Sequence, residues 1–258
     1  MGTSFSSAAA ATTGGTALVT GSTSGLGAAL AAELRRRDFR VIGLGRSRPG
    51  DVPESDFIQI DLARPGAAQT VAAELRERTA TLDLLVNNAG FGGYAAWEEM
   101  PEADLRRMFE VDFFAPVLLA RELLPMLERS RGGIINLASV AALAPVPCMG
   151  AYCAVKAAFG QFSSTLRAEL KRRRIRVLTV YPGRISTGFS SRAVRIRECP
   201  DTPGNRVDPA RFARRVITCF ERNRRKLVYP RWYVFFLIFT RLFPELYGQL
   251  ACKIWKLK

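Results

Sequence analysis

The chain has 258 residues and a formal net charge of +15, with 48% hydrophobic residues, 24% charged residues and no histidine. A chain of that length buries about three quarters of its unfolded surface, so neither disulfides nor a structural metal is required for a core. The five cysteines (Cys148, Cys153, Cys199, Cys219, Cys252) are scattered and form no CxxC pair, which reads as reduced thiols of a cytoplasmic protein and argues against a disulfide frame or zinc site.

Taken in chain order, residues 1–15 (MGTSFSSAAAATTGG) are small and polar, and read as a flexible tail without the basic start or apolar run of a secretory signal. From residue 16, short apolar runs alternate with helical patterns. TALVT (16–20) is the first strand, followed by a glycine turn and the helical stretch AALAAELRRR. RVIGLG (40–45), FIQI (57–60), DLLV (83–86), GIINLAS (133–139) and IRVLTV (175–180) supply five more strands, with helical segments between them. Near-continuous apolar strands separated by helices predict a single-domain α/β fold over 16–229, a doubly wound parallel sheet with helices on both faces. Residues 184–209 lack periodicity and carry Pro, Gly and Asn; they read as a lid over a site. Residues 230–258 form an apolar and basic helical extension, in which WYVFFLIFTRLF (232–243) is too short to span a bilayer. Three readings of that extension stay open: a buried helix or dimer contact, a helix lying in a membrane interface, or a pocket wall.

The basic clusters at Arg35–Arg37, Lys171–Arg174, Arg222–Lys226 and Lys253–Lys258 read either as solvated helix faces or as attraction to an anionic membrane or substrate. No aromatic and basic strand pattern or zinc-finger spacing points to nucleic acid.

After the first strand comes Gly21-Ser22-Thr23-Ser24-Gly25-Leu26-Gly27, preceded by Thr20. Glycines permit a tight turn and close backbone approach, and the free N–H groups of the following helix make a seat for a pyrophosphate. The pattern TGxxxGxG resembles the signature of the short-chain dehydrogenase/reductase family, a Rossmann-like fold. Further motifs follow in that family's order: Asp61-Leu62 past the third strand, Asn88-Ala89-Gly90 after Asn87, Ser139, Tyr152-x-x-x-Lys156, and Pro182-Gly183 with Ile185 and Thr187. The resemblance spans about residues 16 to 190 and implies an NAD(P)-dependent oxidoreductase.

It also implies roles. Asp61 and Leu62 contact the adenine, and Asn88, Ala89 and Gly90 lie beside the cofactor. Ile185 and Thr187 reach the carboxamide and pyrophosphate. Tyr152 is the general acid and base, while Ser139, 13 residues earlier, holds the substrate oxygen. Lys156 lies one helical turn from Tyr152 on the same face, where it binds the nicotinamide ribose and its charge, with that of the oxidised nicotinamide, lowers the tyrosine pKa. NAD-binding folds place an acid at the end of the second strand; here Gly45 is followed by Arg46 and Ser47. An arginine there pairs with a ribose 2′-phosphate, so NADP(H) is expected in preference to NAD(H). Asp112 replaces the family's usual asparagine, which binds a water linking the lysine to solvent. Three roles stay open for the acid: accepting that water's hydrogen bonds, supporting the backbone, or pairing with Lys156 and weakening its influence on Tyr152. Activity is expected to survive with an altered pH profile.

The implied reaction is hydride transfer between nicotinamide and a hydrophobic ketone, aldehyde or secondary alcohol, in a homo-oligomer with a peripheral membrane contact as one option. Phe91, Tyr94, Trp97, Val146, Pro147 and Met149 are expected in the pocket. An NAD-dependent alcohol dehydrogenase working oxidatively, and a dinucleotide-binding regulator with vestigial catalysis, remain as alternatives.

Overall fold

The computed structural model describes residues 14–200 and 207–256. Most of the expected tail, and residues 201–206 of the expected lid, therefore lie outside the described residues.

The chain runs through β1 (Thr16–Thr20), α1 (Gly25–Arg35), β2 (Arg40–Gly45), β3 (Phe57–Gln59), α2 (Ala67–Arg78), β4 (Leu84–Asn87) and the two-residue β5 (Gly93–Tyr94). It continues with α3 (Glu102–Phe109), a π-helical turn (Glu110–Phe114), α4 (Ala115–Glu122), α5 (Leu124–Ser130), β6 (Gly133–Leu137) and the long α6 (Gly150–Leu170). The last elements are β7 (Arg176–Pro182), β8 (Val194–Arg195), α7 (Pro209–Glu221), β9 (Lys226–Tyr229), α8 (Tyr233–Leu242) and α9 (Pro244–Ile254).

Seven parallel strands form the central sheet in the order β3-β2-β1-β4-β6-β7-β9. Because strand side chains alternate, β1 feeds both faces at once. Leu18 packs with Leu85, Ile134 and Val177 under α2 and α4. Ala17 and Val19 pack with Val86, Ile135 and Leu178 under α1 and α7. Both faces are covered, which is why these strands read as unbroken apolar runs. Chain order reverses between β1 and β4, so the loops leaving the carboxyl ends of the strands diverge there and open a crevice.

Six of the seven sheet strands match the expectation within two residues at each end. The seventh, β9, follows the basic run ERNRR and was not expected; as an edge strand beside β7 it is only partly buried, so its sequence shows little apolar signal. The described part of 184–209 is tied down more than its composition suggests. Val194 and Arg195 pair with Gly93 and Tyr94, Ile185 bridges to Val207, and Arg197 grips Glu99 at 2.7 and 2.8 Å.

Candidate active site

The glycine turn after β1 is pinned by Thr20, which is almost fully buried. Its hydroxyl oxygen accepts the backbone N–H groups of Asn88 and Ala89, both at 2.9 Å, and the Asn88 side chain donates back to the Thr20 carbonyl at 2.9 Å. The two cofactor-side loops are thus locked together. Gly27 sits so close to this junction that a Cβ there would lie 2.0 Å from the Gly21 carbonyl oxygen. Gly25 has φ +57°, a left-handed conformation that other residues avoid. Ser24 caps α1 without a side-chain hydrogen bond, and the first turn carries no acid. The first N–H groups of α1 therefore stay available to an anion, and the cradle fits the pyrophosphate of a nicotinamide dinucleotide.

A buried polar chain steadies the sheet below. Asn87 donates to Asn136 at 2.8 Å, Asn136 donates to Ser163 at 2.9 Å, and the hydroxyls of Ser163 and Thr179 lie 2.7 Å apart. This fixes β4, β6 and β7 against α6, the helix that carries Tyr152 and Lys156.

Ser139 lies just past β6, where its hydroxyl oxygen accepts the Ala141 N–H at 3.1 Å, leaving its own proton to donate. Lys156 is buried beneath the site. Its ammonium donates to the Leu137 carbonyl at 3.1 Å and lies 2.8 Å from the Asp112 carboxylate. The ammonium is thereby held in place while the side chain still lines the cavity, where a ribose hydroxyl can accept from it. Asp112 also accepts the Phe91 N–H at 3.1 Å, and it sits on the π-helical turn between α3 and α4. A Cβ on Gly90 would come within 2.3 Å of Asp112, so glycine there lets the acid approach the lysine.

Burial pushes the Tyr152 phenol well above its ordinary value; the Asp112 charge adds to this, and a hydrogen bond with Ser139 pulls the other way. Burial likewise raises Asp112, against the opposing pull of Lys156 and of the Phe91 N–H. Asp112 thus counters the influence on Tyr152 that the sequence ascribes to Lys156 together with the oxidised nicotinamide. The nitrogen is 5.9 Å from the Tyr152 ring centre and its charge is answered by Asp112, one of the roles left open for this substitution.

One cavity of about 1020 Å³ joins these parts. It is lined by Gly21, Thr23, Ser24, Leu26 and Gly27 from the turn and by Arg46, Asp61 and Leu62 beyond β2 and β3. Asn88, Ala89 and Gly90 follow, then Ser139, Tyr152 and Lys156, and finally Pro182, Gly183, Ile185 and Thr187. Four candidates do not line it. Ser22 turns under β2 against Gly43; Gly25 lies behind Thr187; Ser47 is exposed outside; and Asp112 sits behind Lys156. Of the expected pocket residues, Phe91, Tyr94, Val146 and Met149 line the cavity, whereas Pro147 does not and Trp97 is 88% exposed.

Other lining residues were invisible to sequence motifs. Phe189 leans its ring over Tyr152 at 5.7 Å. Arg192 reaches the Gly25 turn and donates to the Thr187 carbonyl at 3.2 Å, beside the pyrophosphate seat. Arg107 pairs with Asp61 at 3.0 Å and lines the same cavity as Arg46. The far wall comes from α8 and α9, whose Tyr233 packs where a Gly183 side chain would lie. Tyr247 donates to the Pro145 carbonyl at 2.6 Å, and Trp255 stacks on Tyr94 at 6.3 Å. Only the apolar and aromatic composition of 232–255 hints at this wall.

A strand-end serine, a tyrosine and lysine one turn apart and a glycine turn over a helix N-terminus meet on one cavity, as the family resemblance implies. Comparison with known proteins agrees. The sequence profile described as short chain dehydrogenase matches residues 15–196, and the chain belongs to that family. A rat protein named dehydrogenase/reductase SDR family member 7B is 34% identical over 194 residues, 69% of this chain and 60% of that protein. The chain thus spans about three fifths of that curated relative's length. A 3-ketodihydrosphingosine reductase of Bacteroides thetaiotaomicron is 27% identical, covering 83% of this chain and 78% of that one.

Among solved structures, a Burkholderia cenocepacia short chain dehydrogenase in complex with NADP superposes with a TM-score of 0.78 at 26% identity, covering 92% of this chain and 97% of that one. A Brucella ovis oxidoreductase with partially ordered NAD gives 0.70 at 26% identity, covering 83% and 98%. Neighbours thus hold either form of the nicotinamide cofactor.

Proposed function

We propose that this protein is an NADP(H)-dependent carbonyl reductase and alcohol dehydrogenase that interconverts a hydrophobic ketone or aldehyde and its alcohol. The observation that carries the reading is the convergence of Ser139, Tyr152 and Lys156 with the glycine turn on one cavity whose far wall is aromatic. When bound, the nicotinamide cofactor supplies or accepts the hydride.

The chain's own residues do the rest. Ser139 Oγ, with one lone pair engaged by the Ala141 N–H, donates its proton to the substrate oxygen. Tyr152 Oη delivers a proton to that oxygen as the carbonyl is reduced, and takes it back in the reverse direction. Burial and Asp112 favour the neutral phenol, the form of Tyr152 that donates a proton in reduction. Lys156 holds the nicotinamide ribose, itself anchored by Leu137 and Asp112. Phe91, Tyr94, Phe189, Tyr233 and Phe236 exclude water and offer apolar contact, which favours a long or ring-shaped apolar substrate. The sphingoid ketone named for the Bacteroides relative is of that class.

Arg46 lines the cavity at the end of β2, where an acid would select against a 2′-phosphate, and this supports NADP(H). Fluorescence titration with NADPH and NADH tests it: NADPH is expected to bind more tightly, and Arg46→Ala to remove most of the difference. Tighter NADH would move the oxidative alcohol dehydrogenase to the front, a reading that the NAD-bound neighbour favours. Binding of neither would defeat the cofactor assignment.

A further inference from the structure

The α8–α9 pair carries a second feature that hydride transfer does not use. On α8, Val234, Phe235, Ile238 and Leu242 share one side of the helix and are all exposed, Phe235 at 75%. On α9, Leu246, Leu250 and Ile254 recur every four residues and are exposed as well, and Phe243 at the corner joins the two rows. On α8 the opposite side, through Tyr233 and Phe236, lines the cavity, and on α9 the neighbouring strip, through Tyr247 and Ala251, does so. One helical pair therefore has an apolar inner face over the candidate site and an apolar outer face on the surface. An exposed apolar face of this extent marks a docking surface.

The charges around it choose the occupant. Arg231, Arg241, Lys253 and Lys256 are all exposed, against a single carboxylate, Glu245, in residues 230–256. A second copy docked through this face by two-fold symmetry would bring these cations toward their own images, whereas an anionic surface complements them. Among the described residues no helix is long and apolar enough to cross a membrane, so contact through this pair would be in the interface plane. Two residues belong to both features: Trp232 and Ile254 line the cavity and are also 54% and 52% exposed, so the mouth of the cavity lies at the rim of the apolar face.

We propose that α8 and α9 seat the protein on an anionic lipid bilayer, with the apolar rows in the acyl boundary and the four cations among the lipid phosphates, and that an amphiphilic lipid ketone or alcohol enters the cavity from the bilayer past Trp232 and Ile254. The lipid substrate rests on the function proposed above; the docking does not.

The test is flotation of the full chain with vesicles of phosphatidylcholine and phosphatidylglycerol, with pure phosphatidylcholine vesicles as the comparison. The protein is expected to float with the anionic vesicles, less with neutral ones, and less as salt is raised. The double variant Phe235→Glu/Leu242→Glu changes two exposed residues that do not line the cavity. It is expected to weaken partition by on the order of a hundredfold while keeping its melting temperature and its turnover of a short, water-soluble ketone. Turnover of a long-chain ketone embedded in the vesicles is expected to fall with it. Failure of the native chain to float with anionic vesicles overturns the proposal. So does a native dimer by analytical ultracentrifugation that the double variant converts to monomer, because the face then belongs to a second copy. Flotation without turnover of either ketone supports the docking and faults the proposed activity instead.

Discussion

On one side of the cavity, polar groups are held by short, directional hydrogen bonds. Thr20 joins the glycine turn to Asn88 and Ala89, Ser139 is oriented by the Ala141 N–H, and Lys156 is held between Leu137 and Asp112. On the other side, α8 and α9 contribute rings and aliphatic chains, with Tyr247 to Pro145 as a hydrogen bond across the gap. The first wall tolerates almost no change in shape, since its hydrogen bonds lose strength over tenths of an ångström. The second is held by dispersion and apolar burial, which depend on area and are forgiving of residue type. Such a division lets one wall fix the chemistry while the other sets which molecules reach it.

Breaking the polar wall at its reacting group has the largest expected effect. Tyr152→Phe removes the transferable proton without altering the fold, so kcat in ketone reduction is expected to fall by about 10²–10⁴ with NADPH affinity retained; unchanged kcat would show that another group moves the proton. Next comes Gly27→Ala, whose methyl would meet the Gly21 carbonyl. Overpacking of about 1–3 kcal/mol at that junction is expected to weaken cofactor binding by roughly 5- to 150-fold, read by fluorescence titration. Arg192→Ala sharpens the boundary between the walls, since Arg192 reaches from the 184–200 segment to the glycine turn. It is expected to weaken both NADPH and NADH by similar factors of about tenfold, whereas Arg46→Ala acts on NADPH alone.

Asp112→Asn then tests how the buried acid governs the polar wall. The carboxylate raises the Tyr152 pKa and balances Lys156, so its removal leaves the lysine charge unanswered and favours phenolate. The phenolate needed for alcohol oxidation is then reached at lower pH, and the pH–rate curve for oxidation is expected to move toward acid. Superimposable curves for the two proteins would dismiss a role for the acid. The mildest change is Phe236→Ala in the apolar wall, expected to raise KM for a long-chain ketone by about tenfold with kcat little altered.

The sequence by itself determined the parallel sheet and the polar wall. Unbroken apolar runs such as TALVT and GIINLAS leave few options but strands covered on both faces. The glycine turn, Ser139, Tyr152 and Lys156 are legible because each needs one residue type at one spacing along the chain. Asp112 stands out as a departure from such a pattern, and its pairing with Lys156 is one of the roles that the departure leaves open.

Only the tertiary structure decided the rest. Edge strand β9 is half exposed and preceded by charges, so it lacks the apolar run that marks its neighbours. Arg107 meets Asp61 across 46 residues, and Arg197 meets Glu99 across 98, pairings to which no local period points. The apolar stretch 232–243 allowed a buried helix or dimer contact, a membrane face or a pocket wall. Burial within the chain is excluded by the exposure of Phe235, Ile238 and Leu242, while Tyr233 and Phe236 turn inward to the cavity. The hydrophobic effect acts on area and is indifferent to direction, so an apolar run records that its residues prefer to leave water. Where they go is fixed by what the rest of the chain has already placed beside them.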